Sequence, residues 1–291
     1  MSSDFLQFLF SGITVGAIYG LVGLGFSIIY NASHVINFAQ GEFVMLGGMS
    51  TVFLIGLGLP MPLAILLAVA FTAVAGLALE KFAIEPAKDA SIITLIIITI
   101  GASIFLRGAA QVAWGRNFHS MPSFSGNDPF FIGGASILPQ SLWILGGTIF
   151  IVIVLVWFFN RTMTGKAMVA SAHNPVAARL AGINAKFILL LSFGLSAMLG
   201  GVAGILIAPI SLTYPGVGIM LGLKGFCAAI LGGFGKPMGA VLGGLIVGIS
   251  EAMTAGYISS AYKDAVAFII ILVVLFFLPR GLFGKRDTER V

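Results

Sequence analysis

Charged side chains are scarce in this sequence: Asp, Glu, Lys and Arg make up 9% of its 291 residues, against about a quarter in soluble domains. With 59% hydrophobic residues and a mean hydropathy of +1.11, too little polar side chain exists to coat a globule in water. That excludes a soluble domain. Cysteine is nearly absent. Cys227 stands alone in an apolar segment, so no disulfide framework is available and the thiol reads as a small buried hydrophobe. Lys and Arg are missing ahead of the first apolar run, MSSDFLQF, so the basic n-region of a cleavable signal is not there and the first helix is expected to stay in the mature chain. Histidine is sparse too: His34, His119 and His173 lie far apart without metal-ligand spacing. No GxSxG elbow occurs. The nearest approach to a phosphate-binding loop is Gly235-Lys236, but Pro237 stands where Ser or Thr is required and Ile230 where the first Gly belongs. The chain is therefore expected to bind no ATP in that way and to hold no cofactor of its own.

What is present is long apolar sequence. A bilayer core of ~30 Å asks for ~20 apolar residues per helix, and spans are expected near 5–30, 38–58, 62–80, 91–112, 141–159, 187–208, 223–258 and 263–279. Ile92–Ile100 and Ile149–Phe159 are apolar without alternation, which excludes a β-barrel, where apolar and polar residues alternate. The fold class expected is an all-α polytopic membrane protein of about eight transmembrane helices. Leu59-Pro60-Met61-Pro62 separates the second span from the third. Residues 113–140 are rich in Ser, Gly, Pro and Asn and carry Trp114, Phe118, Phe124, Phe130 and Phe131, as expected of an extracytoplasmic loop lying on the membrane interface. The net charge of +5 reads as topology rather than as nucleic-acid binding: the loop 160–186 holds Arg161, Lys166, Arg179 and Lys186 with no acid, which puts it in the cytoplasm. The tail, with Arg280, Lys285, Arg286 and Arg290 against Asp287 and Glu289, reads the same way. Two cytoplasmic ends need an even number of crossings between them, and only three spans follow the loop. The excess length of 223–258 and the breaker Gly232-Gly233-Phe234-Gly235-Lys236-Pro237-Met238-Gly239 point to a broken or re-entrant element, either lining the pathway or forming a packed joint beside it.

Glycine is abundant, 39 residues, and patterned. Gly12, Gly16 and Gly20 recur every fourth residue, as do Ser196, Gly200 and Gly204, and Ala240, Gly244 and Gly248. Such stripes let helix backbones approach. Packing within the chain is the favoured reading; contact with a second subunit is the other.

Four places hold polar groups that want an explanation. In Val35–Phe43, VINFAQGEF, Glu42 is the only formal charge among residues 5–79. An ionisable residue inside the membrane is a functional candidate, either lining the path or, as favoured, holding helices together. Asn37 is expected to cap a helix beginning at Phe38. Asn37 and Gln40 would share a face of a helix, while Glu42 points elsewhere. Lys224 and Glu251 bound the broken segment, and snorkelling to the interface is favoured over a charge pair. Arg107 is likewise expected to snorkel. In 171–186, SAHNPVAARLAGINAK, Asn174 is a good N-cap, Pro175 suits the first helical position and Gly182 the C′ position. The short helix between would carry Val176 and Leu180 on one face, with Ala177 and Ala181 beside them. It is either a docking knob for a soluble partner or a helix lying on the lipid.

Ile36-Asn37-Phe38-Ala39-Gln40-Gly41-Glu42, Ala177–Asn184 (AARLAGIN), Lys224–Gly233 (KGFCAAILGG) continuing through Gly239–Gly244 to Glu251, and Pro279–Gly284 (PRGLFG) follow one another in the order seen in the membrane permeases of ABC importers for branched-chain amino acids, of the LivH type. The chain resembles that family over nearly its whole length. In many members His stands at the position of Gln40, and Gln cannot titrate near neutral pH. The resemblance implies an ABC importer permease fold in one domain over residues 1–291 and a multi-pass location in the bacterial inner membrane. It also implies a second permease of the LivM type, two cytoplasmic ABC ATPase subunits and a periplasmic substrate-binding protein as partners. It makes Asn174, Pro175, Val176, Ala177, Arg179, Leu180 and Gly182 the coupling helix to an ATPase, in a cytoplasmic coupling loop 160–186. Candidates for the pathway or buried polar positions are Asn37, Gln40, Glu42, Lys224, Gly232, Gly233, Gly235, Pro237 and Glu251. The function expected is ATP-driven import of a hydrophobic amino acid, with hydrolysis by partner chains. The alternatives are the same machine carrying urea, short amides or aromatic acids, and a self-sufficient secondary transporter.

Overall fold

The computed structural model describes residues 2–87, 90–278 and 281–284. The basic tail residues Arg280, Lys285, Arg286 and Arg290, the acids Asp287 and Glu289, and Pro279 of the last motif lie outside the described residues. The helices are α1 (Ser2–Ser33), α2 (Gln40–Gly56), α3 (Met61–Leu79), α4 (Ile92–Trp114), α5 (Pro139–Arg161), α6 (Met163–His173), α7 (Pro175–Leu180), α8 (Ala185–Ile207), α9 (Val217–Gly232), α10 (Pro237–Tyr257) and α11 (Lys263–Phe277). A π turn (Glu80–Ile84) and a 3-10 turn (Glu85–Ala87) prolong α3. Seven of these helices are long and apolar enough to cross a membrane. α2 and α9, of 17 and 16 residues, are the shorter members of the bundle. The chain is not purely helical: β1 (Phe130–Ile132) and β2 (Ala135–Ile137) form an antiparallel hairpin in the loop after α4.

The fold is organised around α1. Its apolar window is 89% buried, against 11% for α4 and α5 and 6% for α11, so α1 is a central pillar and those three are walls. Two glycine stripes explain how the pillar is packed. Gly12, Gly16 and Gly20 of α1 lie directly on Gly244 and Gly248 of α10: a methyl group at Gly16 would stand 2.8 Å from the Gly244 carbonyl oxygen. The third stripe, Gly200 and Gly204 of α8, receives α2 at Phe43, Val44 and Gly48. The favoured reading of these stripes, packing inside the chain, is what the structure shows.

The span expected over 223–258 is two helices, α9 and α10, folded back on each other. Gly232 meets Gly239 and Gly243 meets Ala228 across the pair. The turn needs glycine: Gly233 and Gly235 have φ of +95° and +81°, and Pro237 opens α10. Counted with the shorter α9, the helices after the basic loop number four, α8, α9, α10 and α11, the even number that the parity argument asks for. The two ends of the bundle differ in charge as the orientation requires. Among the described residues Lys81, Arg161, Lys166, Arg179, Lys186 and Lys236 lie at the end holding α6 and α7, while Arg116 and Lys263 lie at the other. At that second end the loop after α4 is tied to the loop after α8, His119 and Thr213 exchanging backbone hydrogen bonds of 2.8 and 2.9 Å, and Gln7 of α1 bonds Ser136 of the hairpin.

Candidate functional site

α2 starts deep inside the bundle. After α1 the chain turns at His34, with φ of +55°, and Val35, Asn37 and Ala39 run inward as buried residues. Thr99 of α4 clasps this segment, accepting from Phe38 N at 3.2 Å. The helix begins at Gln40, not Phe38. Asn37 is thus not its N-cap, which is Ala39; its Oδ1 instead accepts from Ala39 N at 3.0 Å and fixes the turn that leads into the helix. Asn37 and Gln40 share no helix face for the same reason. Gln40 is fully buried and joined twice to α8: its Nε2 donates to Ser196 O at 3.1 Å, and Ser196 Oγ donates to its Oε1 at 2.6 Å.

Glu42 faces a third helix. Its Oε1 accepts from Ser103 Oγ of α4 at 2.8 Å, and its Oε2 is buried without a hydrogen-bond partner. The residue sits on the wall of a cavity of ≈ 250 Å³ between α1, α2, α4 and α9, together with Ser103, Arg107, Phe26, Ile104 and Phe226; the cavity opens to the bundle surface at Ile100, Ile104 and Ile219, which are exposed. Arg107 thus turns to the cavity, one helical turn beyond Ser103, and does not snorkel to the interface.

Lys224 does not snorkel either. Its side chain is 6% exposed, and the ammonium is the hub of four helices. Nζ donates to Glu251 Oε1 of α10 at 2.7 Å, to Asp264 Oδ1 of α11 at 2.6 Å and to Tyr19 Oη of α1 at 3.2 Å. Tyr19 in turn donates to Glu251 Oε2 at 2.8 Å. Sequence reasoning paired Lys224 with Glu251 only as its second choice and missed Tyr19 and Asp264. The one signal for Asp264 is its place beside Lys263 at the mouth of a final span that carries no other charge through Phe277.

The glycine turn is a packed joint. Asn31 Nδ2 donates to Gly235 O at 3.0 Å, Phe234 meets Tyr30 edge to face with centroids 4.5 Å apart, and Leu282 N donates to Leu231 O at 2.9 Å. Gly232 and Gly233 do not line the cavity beside Glu42. Gly235 and Pro237 border a second cavity of ≈ 550 Å³ at the end of the bundle that carries α6. The structure thus brings Glu42 into one cavity, Gly235 and Pro237 into another and Lys224 with Glu251 into a buried knot; no single site unites them.

α7 is built as its sequence demands. Asn174 Oδ1 accepts from Ala177 N at 3.0 Å, Pro175 is the first helical residue, and Gly182 has φ of +84°. Gly182 N donates to Arg179 O and Ile183 N to Ala178 O, the paired bonds of a Schellman ending. Ala178 alone turns to the protein. Val176 is 68% and Leu180 86% exposed, beyond the apolar span of α5 and α8, with Ala177, Arg179 and Ala181 exposed around them.

A central pillar crossed by apolar helices, glycine-tight seams, polar groups at mid-bundle and a basic end bearing a small capped helix define a multi-pass membrane transport subunit. The chain belongs to the family described as branched-chain amino acid transport system / permease component, which matches residues 8–275. It is 32% identical to the high-affinity branched-chain amino acid transport system permease protein LivH of Salmonella typhimurium over the whole of both chains. It is 34% identical to the corresponding permease protein BraD of Pseudomonas aeruginosa, over 99% of this chain and 98% of that one. The ribose import permease protein RbsC of Escherichia coli is 25% identical over 92% and 84% of the two chains. Among solved structures, PsaBC from Streptococcus pneumoniae in complex with Fab matches with a TM-score of 0.51 and 14% identity, covering 96% of this chain and 93% of that one, which is a likeness of fold.

Proposed function

We propose that this chain is the permease subunit of an ABC importer that takes branched-chain amino acids across the bacterial inner membrane. The observation that carries this reading is full-length similarity, at 32% and 34% identity, to permeases named for that transport. The permease pairs with a second permease of the LivM type, two ATPase subunits on the cytoplasmic side and an external substrate-binding protein. The chain itself binds no nucleotide and needs no cofactor; hydrolysis belongs to its partners. α7 is the part that faces the ATPase. Its caps hold six residues in helical form outside the membrane, and Val176 and Leu180 present apolar surface that gains by burial in a protein groove. Closure of the ATPases then moves α7 as a rigid body and opens the path between the two permeases. The scarcity of charge in the spans suits a small apolar solute. Uptake of radiolabelled leucine by proteoliposomes holding the whole complex, with internal ATP and external binding protein, tests the reading. ATP-dependent uptake blocked by excess isoleucine or valine is the expected result. ATP hydrolysis stimulated by the binding protein without leucine uptake would discard the cargo.

A further inference from the structure

The cavity beside Glu42 holds a meeting that no linear pattern announces. Glu42 is the only charged residue between Asp4 and Glu80, and Arg107 the only one between Asp89 and Arg116. These two solitary charges, from α2 and α4, line one cavity of ≈ 250 Å³. Ser103 is the midpoint of α4, so the cavity lies at mid-membrane depth. Glu42 is 2% exposed, and only one of its carboxylate oxygens has a partner. A buried acceptor left open in a folded protein marks strain, function or a missing ligand.

We propose that this cavity is a transient binding site for the transported solute, and that it recognises an α-amino acid zwitterion with an aliphatic side chain. The inference rests on the cargo assigned in the preceding section. The chemistry of the walls is selective. Glu42 Oε2 accepts from the solute's α-ammonium, while Ser103 keeps Oε1 in place. The planar guanidinium of Arg107 presents two parallel N–H groups to the solute's carboxylate. Phe26, Ile100, Ile104, Ile219 and Phe226 supply an apolar wall for the branched side chain. The two protein charges cancel, and so do those of a zwitterion, so the solute enters without bringing net charge to mid-membrane depth. A monocarboxylate meets Glu42 and an amine meets Arg107, each left with a like charge unanswered. The volume, just under the ~300–1,000 Å³ of pockets for drug-sized ligands, suits a single amino acid.

The test uses the complete importer in proteoliposomes, comparing wild type with Glu42→Gln and Arg107→Gln. Removing one partner of a buried charge contact is expected to lower leucine uptake about tenfold or more, while ATP hydrolysis stimulated by the binding protein persists. Normal uptake in both variants, with leucine uptake by wild type intact, overturns the site and leaves the importer standing. A wild-type complex that hydrolyses ATP but carries no leucine overturns the cargo, and the occupant proposed here with it. Should the variants fail to assemble, a second arm keeps both charges: Ile104→Cys in a Cys227→Ala background, alkylated by a small maleimide in the complex without binding protein. Leucine is expected to slow the reaction, and leucinamide and 4-methylpentanoate, each lacking one of its charges, are not. Equal protection by all three, or by none, overturns the proposal.

Discussion

Lys224 is the residue whose removal should be felt most. Two carboxylates and a phenol converge on one ammonium with 6% of its side chain exposed, and Lys224→Met leaves the buried Glu251 carboxylate without its cation and beside Asp264. Breaking a buried ion pair from one side costs about 3–5 kcal/mol, so this variant should unfold in detergent at a clearly lower temperature than wild type, by fluorescence or by loss of the monodisperse peak. Asp264→Asn should cost much less, because that side chain is 44% exposed and solvent already screens it. Equal losses in the two variants would show that Lys224 is not the hub. The residues themselves were legible: Glu42, Lys224, Glu251, Gln40 and Asn37 all stand out as polar groups in apolar sequence, and all are buried. Their partners were not. Ser103 lies 61 residues from Glu42 and Tyr19 lies 205 from Lys224, and helical periodicity says which residues share a face but not which helix that face meets. Snorkelling was the wrong expectation for Lys224 because a long cation near a predicted helix end looks the same whether it reaches water or a carboxylate on the next helix.

At the scale of elements, legibility followed locality. α7 was readable to the residue because every bond that ends it lies within a few positions, from Asn174 to Ala177 and from Ile183 to Ala178. The start of α2 was misplaced by two residues because a distant group, Thr99, holds the Ile36–Phe38 segment out of helical form. Two predictions belong here. Leu180→Asp replaces the most exposed apolar side chain of α7 with a charge. It should leave the permease folded, because that side chain is 86% exposed among the described residues, yet abolish co-purification with the ATPases or the leucine uptake they drive. Full uptake in this variant would end the coupling assignment. Gly16→Val attacks a seam instead: its Cβ would come within 2.8 Å of Gly244 O and 2.9 Å of Leu245 Cα, both backbone atoms that cannot step aside. Overpacking of this kind costs about 1–3 kcal/mol, readable as a lowered melting temperature. Gly101→Val, where a Cβ would meet no neighbour within 4 Å, is the control and should melt much closer to wild type.

For the whole molecule, the charge distribution and the helix count answer the same question independently. Among the described residues the end with α6 and α7 gathers Lys81, Arg161, Lys166, Arg179, Lys186 and Lys236, and the excess of Lys and Arg predicts that it faces the cytoplasm. Counting α2 and α9 with the seven longer spans, the described residues are predicted to cross nine times, with Ser2 at the head of α1 and Gly284 beyond α11 on opposite sides. The hairpin of α9 and α10 decides this count. Were 223–258 one span with a re-entrant kink, Met238 would sit inside the membrane or on the far side. Single cysteines in a Cys227→Ala background separate the two topologies. Met238→Cys, at a position 53% exposed, should react with a membrane-impermeant maleimide only after the cells are opened, as should Arg179→Cys. Leu57→Cys, at a position 77% exposed at the other end of the bundle, should react in intact spheroplasts. If Met238→Cys labels from outside along with Leu57→Cys, the hairpin is inverted, the parity argument fails, and α7 can no longer share a side with the glycine turn.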